Sequence, residues 1–296
     1  MSGHSMRAVL AVAMGAALLG FAPIGLRLSD LGPQATAVWR FAFALPVLGV
    51  LLLLERGPRA PPALLAILAL AGVSFGLDIA FWHAALTQTS VLNATLASNM
   101  TPLIAAAAGW VLFKERIGAG YALGVVVALS GAVLLSVARA QAGGAMGGAR
   151  GLSGDVMGLI SAVWYAGYLI ILRGARARAS TIAVMFITTA AAGVFALAVT
   201  LAVGEPLWPH TARGWGVLIG LGLVVHVGGQ GLIAYGLGKL PIALSTVLLW
   251  VQPIAAAALS WILFGEALTP LALGGAALVL IGVWIVQGGR SVAQRT

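Results

Sequence analysis

The chain has 296 residues, of which 61% are hydrophobic and only 8% charged. A soluble domain carries about 45–50% apolar and about 25% charged residues. The balance here excludes a water-soluble enzyme, a nucleic-acid binder and a secreted disulfide scaffold, and makes lipid the solvent. Net charge is +9 and there is no cysteine, so disulfides, thiolate chemistry and cysteine-type metal sites are excluded as well.

A membrane-crossing helix needs about 20 mainly apolar residues, and the charged or turn-rich breaks leave ten such runs. In chain order they are 7–27, 34–54, 62–87, 91–112, 117–138, 153–173, 180–203, 213–237, 242–263 and 269–288. The connections are too short for a sizeable soluble domain. The first run is too long for a signal-peptide core and is followed by Arg27, so it reads as a retained helix. The basic residues stand singly between the runs, as topology determinants do. With the N-terminus in the cytoplasm, Arg7, Arg56, Arg59, Lys114, Arg116, Arg173, Arg176, Arg178, Lys239, Arg290 and Arg295 fall on the cytoplasmic side. Arg27, Arg40, Arg139, Arg150 and Arg213 fall on the other. That bias predicts cytoplasmic N- and C-termini.

The chain also repeats itself. Thr95, Pro102, Trp110, Phe113, Glu115, Gly124 and Gly131 recur as Thr246, Pro253, Trp261, Phe264, Glu266, Gly275 and Gly282, each 151 positions on. Each half holds five spans, an odd number, so the second half crosses the membrane in the opposite sense. The predicted fold class is an all-α polytopic membrane protein, with ten transmembrane helices as two inverted five-helix repeats. Residues 1–139 form the first repeat, 140–152 a Gly-rich linker and 153–296 the second repeat. Inverted repeats are characteristic of secondary transporters, in which two similar halves exchange conformations to turn a cavity from one face to the other.

The segments Pro102–Glu115 (PLIAAAAGWVLFKE) and Pro253–Glu266 (PIAAAALSWILFGE) resemble the paired signature of the ten-helix, EamA-repeat branch of the drug/metabolite transporter superfamily. With Trp82-His83 in the third span and Trp164-Tyr165 in the sixth, the chain is most similar to the YddG-type aromatic amino acid exporters. The resemblance implies a multi-pass protein of the bacterial inner membrane, cytoplasmic termini, a central cavity between the halves and a small-molecule substrate.

Charge inside a span is costly, so it points to function. Asp78 is the acid well inside a span, and His83 and His226 are the intramembrane histidines. Phe75, Ile79 and His83 share a helix face; their repeat mates are His226, Gln230 and Ala234, and Asp78 and Trp82 form the adjacent stripe. That face is expected to line the cavity, the alternative being hydrogen-bonded packing between helices. In the fourth span Thr95, Ser98, Asn99 and Pro102 form one stripe; its copy carries Thr246, Leu249, Trp250 and Pro253, with Ser245 and Gln252 nearby. Each proline frees the carbonyl four residues back. Matching kinks point to a substrate site, and equally to a simple packing bend. Ser161, Trp164, Tyr165 and Tyr168 form a stripe in the sixth span. Trp39, Trp110, Trp208, Trp215, Trp261 and Trp284 lie near span ends, as interfacial belts do. The deeper Trp82, Trp164 and Trp250 suit an aromatic cavity wall, with packing open for at least one.

The expected substrate site is therefore Asp78, Trp82, His83, Ser98, Asn99, Trp164, Tyr168, His226, Gln230, Ser245 and Trp250, with Pro102 and Pro253 as kinks. No catalytic residue, metal or cofactor is expected, and no nucleic-acid partner. The site is expected to hold no Lys or Arg, which speaks against phosphate-carrying branches of the superfamily. Lacking a pair of embedded carboxylates, the chain is expected to work by facilitated diffusion. His83, Asn99 and Ser245 are candidates for the polar ends of a zwitterion. The expected function is export of aromatic amino acids and related neutral metabolites by alternating access. The alternative is a proton-coupled exporter of drugs or cations through Asp78. A membrane enzyme on Asp78, His83 and His226 is disfavoured for want of clustered ligands. A channel is disfavoured for want of a charged pore ring. Gly-x-x-x-Gly pairs such as Gly120 and Gly124 read as intramolecular packing, and a monomer is favoured.

Overall fold

A computed structural model describes residues 3–55, 60–88, 97, 98, 100–114, 118–141, 152–265 and 268–293. All regular elements among them are helices. In order they are α1 Gly3–Leu19, α2 Phe21–Leu28, α3 Pro33–Leu54, α4 Pro62–Gln88, α5 Thr101–Phe113, α6 Ala119–Gln141 and α7 Leu152–Ala175. Then follow α8 Thr181–Val203, α9 Ala212–Gly220, the π-helix α10 Leu221–Gln230, α11 Gly231–Leu237, α12 Ile242–Leu248, α13 Val251–Phe264 and α14 Pro270–Ala293. Helices are what the composition demands, because a backbone in hydrocarbon must satisfy its own hydrogen bonds.

Eight spans are long and apolar enough to cross a membrane, and the shorter apolar helices Thr101–Phe113 and Pro270–Val286 bring the passages to ten among the described residues. The outer surface is aliphatic and aromatic, with Leu53 87%, Val194 72% and Trp284 74% exposed. Side chains so exposed are at home only against lipid tails.

The tightest packing pairs α6 with α14 and reveals the symmetry of the halves. A Cβ on Gly124 would lie 2.7 Å from the Gly282 carbonyl oxygen, and one on Gly131 would lie 2.5 Å from that of Gly275. Gly124 and Gly275 are repeat mates, as are Gly131 and Gly282. Each residue thus meets the mate of the other, which is the reciprocal pattern that a two-fold axis imposes. Contacts that run up one helix and down the other make the pair antiparallel, so the axis lies in the membrane plane. Phe75 and His226, also mates, stack near it with ring centroids 5.9 Å apart. Lys114 and Gly265 are mates too, and both end their helices in the left-handed region, at φ 53° and 66°.

The halves also differ locally: the first span breaks at Gly20, whereas the sixth runs unbroken through the corresponding position in α7. The eighth span runs through α10, a π-helix at Leu221–Gln230, whereas the corresponding stretch 70–79 lies within the continuous α-helix α4.

Polar ties mark the two faces. On one, Asp30 Oδ2 accepts from the backbone N–H of His210 at 2.9 Å and of Thr211 at 3.0 Å, and Glu205 Oε2 accepts from the Ala35 N–H at 2.9 Å. On the other, the Ser180 hydroxyl caps α8 and donates to Glu55, and Arg176 donates to the carbonyls of Ala179 and Ala234.

Candidate functional site

A cavity of about 220 Å³ lies between the halves, running from mid-membrane toward the Asp30 face. Its walls come from the ends of α2 and α3 nearest that face (Pro23, Leu26, Pro33, Thr36, Arg40), from α4, from the α5 entrance, from α7 and α10, and from the α12–α13 junction. Toward the Arg176 face the protein is solid: every residue of α12 is buried, as are Tyr168, Leu169 and Leu172.

Helix breaks form part of the wall. The α-helix is interrupted at Met100, just before Thr101, and near the corresponding place in the second half at Leu249 and Trp250. Pro102 and Pro253 lack the N–H that would bond the carbonyls of Ser98 and Leu249. The Thr101 hydroxyl takes the first at 2.9 Å, and the Gln252 N–H takes the second at 2.9 Å in a tight three-residue turn. The prolines thus turn two helix ends into the cavity and leave local donors to satisfy the freed oxygens.

The structure brings Asp78, Trp82, His83, Ser98, Gln230, Trp250, Pro102 and Pro253 to this cavity. Phe75 and Ile79 join them. Asp78 Oδ1 accepts a hydrogen bond from Ser161 at 2.6 Å, and the Trp82 and His83 rings lie 5.2 Å apart. Four members of the expected site stand elsewhere. His226 packs behind the wall with Thr189 Oγ1 2.7 Å from its Nε2 and the Phe41 ring 5.1 Å away. Tyr168 is buried below Phe75, stacked at 4.7 Å. The Ser245 hydroxyl donates within its own helix to the Pro241 carbonyl at 3.1 Å. Trp164 is half-buried and outside the lining; its neighbour Tyr165 points in instead. Asn99 lies outside the described residues.

One expectation is corrected. The cavity does hold a cation: Arg40, seven residues into α3, lines it with its guanidinium carbon 5.8 Å from the Phe75 ring centroid. The positive-inside count places Arg40 with the loop charges. The signal for the better reading was its position, about 10 Å inside a helix that begins at Pro33, where a charge needs a functional reason. Thr36 and Thr101, to which the sequence patterns do not point, also line the cavity, as does Gln252 beside the second kink.

Several lining groups carry polar atoms with no hydrogen-bond partner among the described residues. They are Arg40 Nε, His83 Nδ1, the Ser98 and Tyr165 hydroxyls, Gln230 Oε1 and Trp250 Nε1. Buried polar atoms are otherwise almost always paired. Their convergence on one cavity makes it the candidate ligand site.

Two inverted five-helix halves around a mid-membrane cavity with kinked helices match an architecture that membrane transporters use. The chain matches the EamA-like transporter family over residues 6–137 and 152–287, and it belongs to that family. It is 26% identical over 222 residues to the uncharacterized transporter YwfM of Bacillus subtilis (strain 168), covering 74% of this chain and 72% of that one. An uncharacterized transporter of Archaeoglobus fulgidus is also 26% identical, over 275 residues that make up 93% of this chain and 94% of its own. A solved crystal structure shares the fold at a TM-score of 0.81 and 20% identity, over 97% of this chain and 98% of the other.

Proposed function

We propose that the protein exports aromatic amino acids and related zwitterionic metabolites across the bacterial inner membrane, by alternating access and facilitated diffusion. The observation that carries this reading is the make-up of the cavity. Phe75, Trp82, Tyr165 and Trp250 supply aromatic surface beside unpaired polar atoms of His83, Ser98 and Gln230. Aromatic walls gain about 0.5–1.5 kcal/mol per ring pair beyond area burial, and the polar atoms suit the ends of an amphiphile.

Sidedness follows from the basic residues. Lys114, Arg173, Arg176, Arg178 and Lys239 stand at the ends of helices on the Arg176 face, and Arg27 and Arg213 on the other. With Arg40 removed from the loop charges, the bias supports a cytoplasmic Arg176 face more strongly. The cavity then opens to the outside.

The test is release of labelled Phe, Trp or Thr from preloaded liposomes containing the purified protein. Release well above that from empty liposomes is expected, with no acceleration by a proton gradient. Release no faster than from empty liposomes overturns the reading. Arg40 favours a second one, export of organic anions, because a guanidinium suits carboxylate and phosphate. Asp78 in the same cavity opposes a net-negative cargo. Release of a phosphate ester in preference to Phe is the result that selects it.

A further inference from the structure

Arg40 and Asp78 are the charged pair of the cavity, and the structure leaves them apart. No ion pair within 4.0 Å joins them. Among the described residues Arg40 Nε has no hydrogen-bond partner, and the one donor to Asp78 is the Ser161 hydroxyl. Neither charge is needed to build a five-helix half, since the repeat mates are Ala191 and Gly229. Both lie well inside their spans. Arg40 is about 10 Å from the start of α3 and Asp78 about 15 Å from the end of α4, at 1.5 Å per residue.

Two opposite charges held apart at that depth are costly unless something completes both. A cation alone leaves Arg40 uncompensated, and an anion alone leaves Asp78 so. A molecule with one charge of each sign satisfies both. We propose that Arg40 and Asp78 form a two-point receptor for a zwitterion. Arg40 takes the carboxylate through charge-assisted hydrogen bonds and Asp78 takes the ammonium group, and Phe75 lines the same cavity. The inference rests on the export reading above and sharpens it, because the cargo must carry both charges. It also makes Arg40 and Asp78 the residues that reject amines and acids.

The test is binding to the purified full-length protein of three ligands of one shape: phenylalanine, phenethylamine and 3-phenylpropanoate. The wild-type protein should bind phenylalanine at least about tenfold more tightly than either singly charged analogue, the scale of losing one charged hydrogen bond. Arg40→Gln should lose phenylalanine by a similar factor and gain relative preference for phenethylamine. Asp78→Asn keeps the Ser161 contact and should shift preference toward 3-phenylpropanoate. Equal wild-type binding of all three ligands overturns the proposal, and that comparison needs no variant to fold. So does an equal loss of all three in both variants. Binding of threonine or leucine but not phenylalanine would sink the aromatic reading while upholding the two-point receptor. Binding of no zwitterion at all overturns both.

Discussion

Trp164 and Tyr165 set the register of the sixth span, and exchanging each for alanine reads it out. The helical period groups Ser161, Trp164, Tyr165 and Tyr168 on a broad face, too broad for the sequence to say which aromatic ring enters the cavity. The fold decides it by the rotation at which α7 docks on α4. That rotation buries Tyr168 under Phe75 and leaves Trp164 outside the lining. Tyr165→Ala should lower phenylalanine release at least about tenfold, since it removes a ring and a hydroxyl from the wall. Trp164→Ala should stay within about twofold, the ordinary range for a side chain that touches no functional group. Equal losses would move the wall by one residue. Arg40 teaches the opposite lesson. Its position inside a span was legible, and counting it among loop charges hid the cation of the site. Asp30 offers a pH test at the surface. Partial desolvation raises its carboxyl, but donors from His210 and Thr211 lower it more, so it titrates below the usual carboxylate value. Its tie to the 207–211 loop is therefore present above about pH 4 and lost only as pH falls through the lower folded value. Fluorescence of Trp208 and Trp215, which pack on Trp39 at 5.3 and 4.7 Å, should report release at acid pH in the wild type. In Asp30→Asn the loop should already be looser at neutral pH.

Helix ends and helix contacts repeat even where side chains differ. The paired prolines announce both breaks in the sequence, because a missing N–H acts locally. The π-helix at Leu221–Gln230 has no such local cause: its wider turn is fitted by packing against α1 and α3, where a Cβ on Gly222 would meet Phe43 at 2.6 Å. Repeat symmetry therefore does not place His226, which lies in this π-helix and packs behind the wall although its mate Phe75 lines it. The left-handed ends of α5 and α13 are held by Lys114 in one half and Gly265 in the other. A lysine pays for that conformation as glycine does not. Lys114→Gly should raise stability by about 0.5–1 kcal/mol, seen as a higher melting temperature in detergent. Gly131→Ala should do the reverse by about 1–3 kcal/mol, the usual cost of overpacking, because its Cβ would meet backbone atoms of Gly275 and Val279 at 2.5 and 2.6 Å. Gly216→Ala is the control, with nothing within 4 Å of its Cβ. A melting temperature unchanged by Gly131→Ala would mean that α6 and α14 separate freely, against the tight reciprocal packing.

At the scale of the whole molecule, the absence of cysteine turns sidedness and alternation into one experiment. Every introduced cysteine is the sole thiol, so labelling by a membrane-impermeant maleimide reports one position without a background. Leu26 lines the cavity near the Asp30 face, whereas Ser245 is buried in α12 below the cavity floor. Alternating access requires these positions to exchange exposure, because conformations of the two halves swap across the axis that Gly124, Gly131, Gly275 and Gly282 define. Without substrate, Leu26→Cys should label from the Asp30 side and Ser245→Cys from neither. Saturating phenylalanine should slow the first and bring labelling of the second from the Arg176 side, because cargo binding draws the protein toward the state it favours. In spheroplasts the Asp30 side should be the accessible one, which tests the orientation read from the basic residues. Simultaneous labelling of both positions from opposite faces would identify a channel. Labelling indifferent to phenylalanine would show that the cavity does not bind it. A response to phenylalanine that disappears in Arg40→Gln, while Ser245→Cys stays buried, would tie the inward turn to capture of the carboxylate.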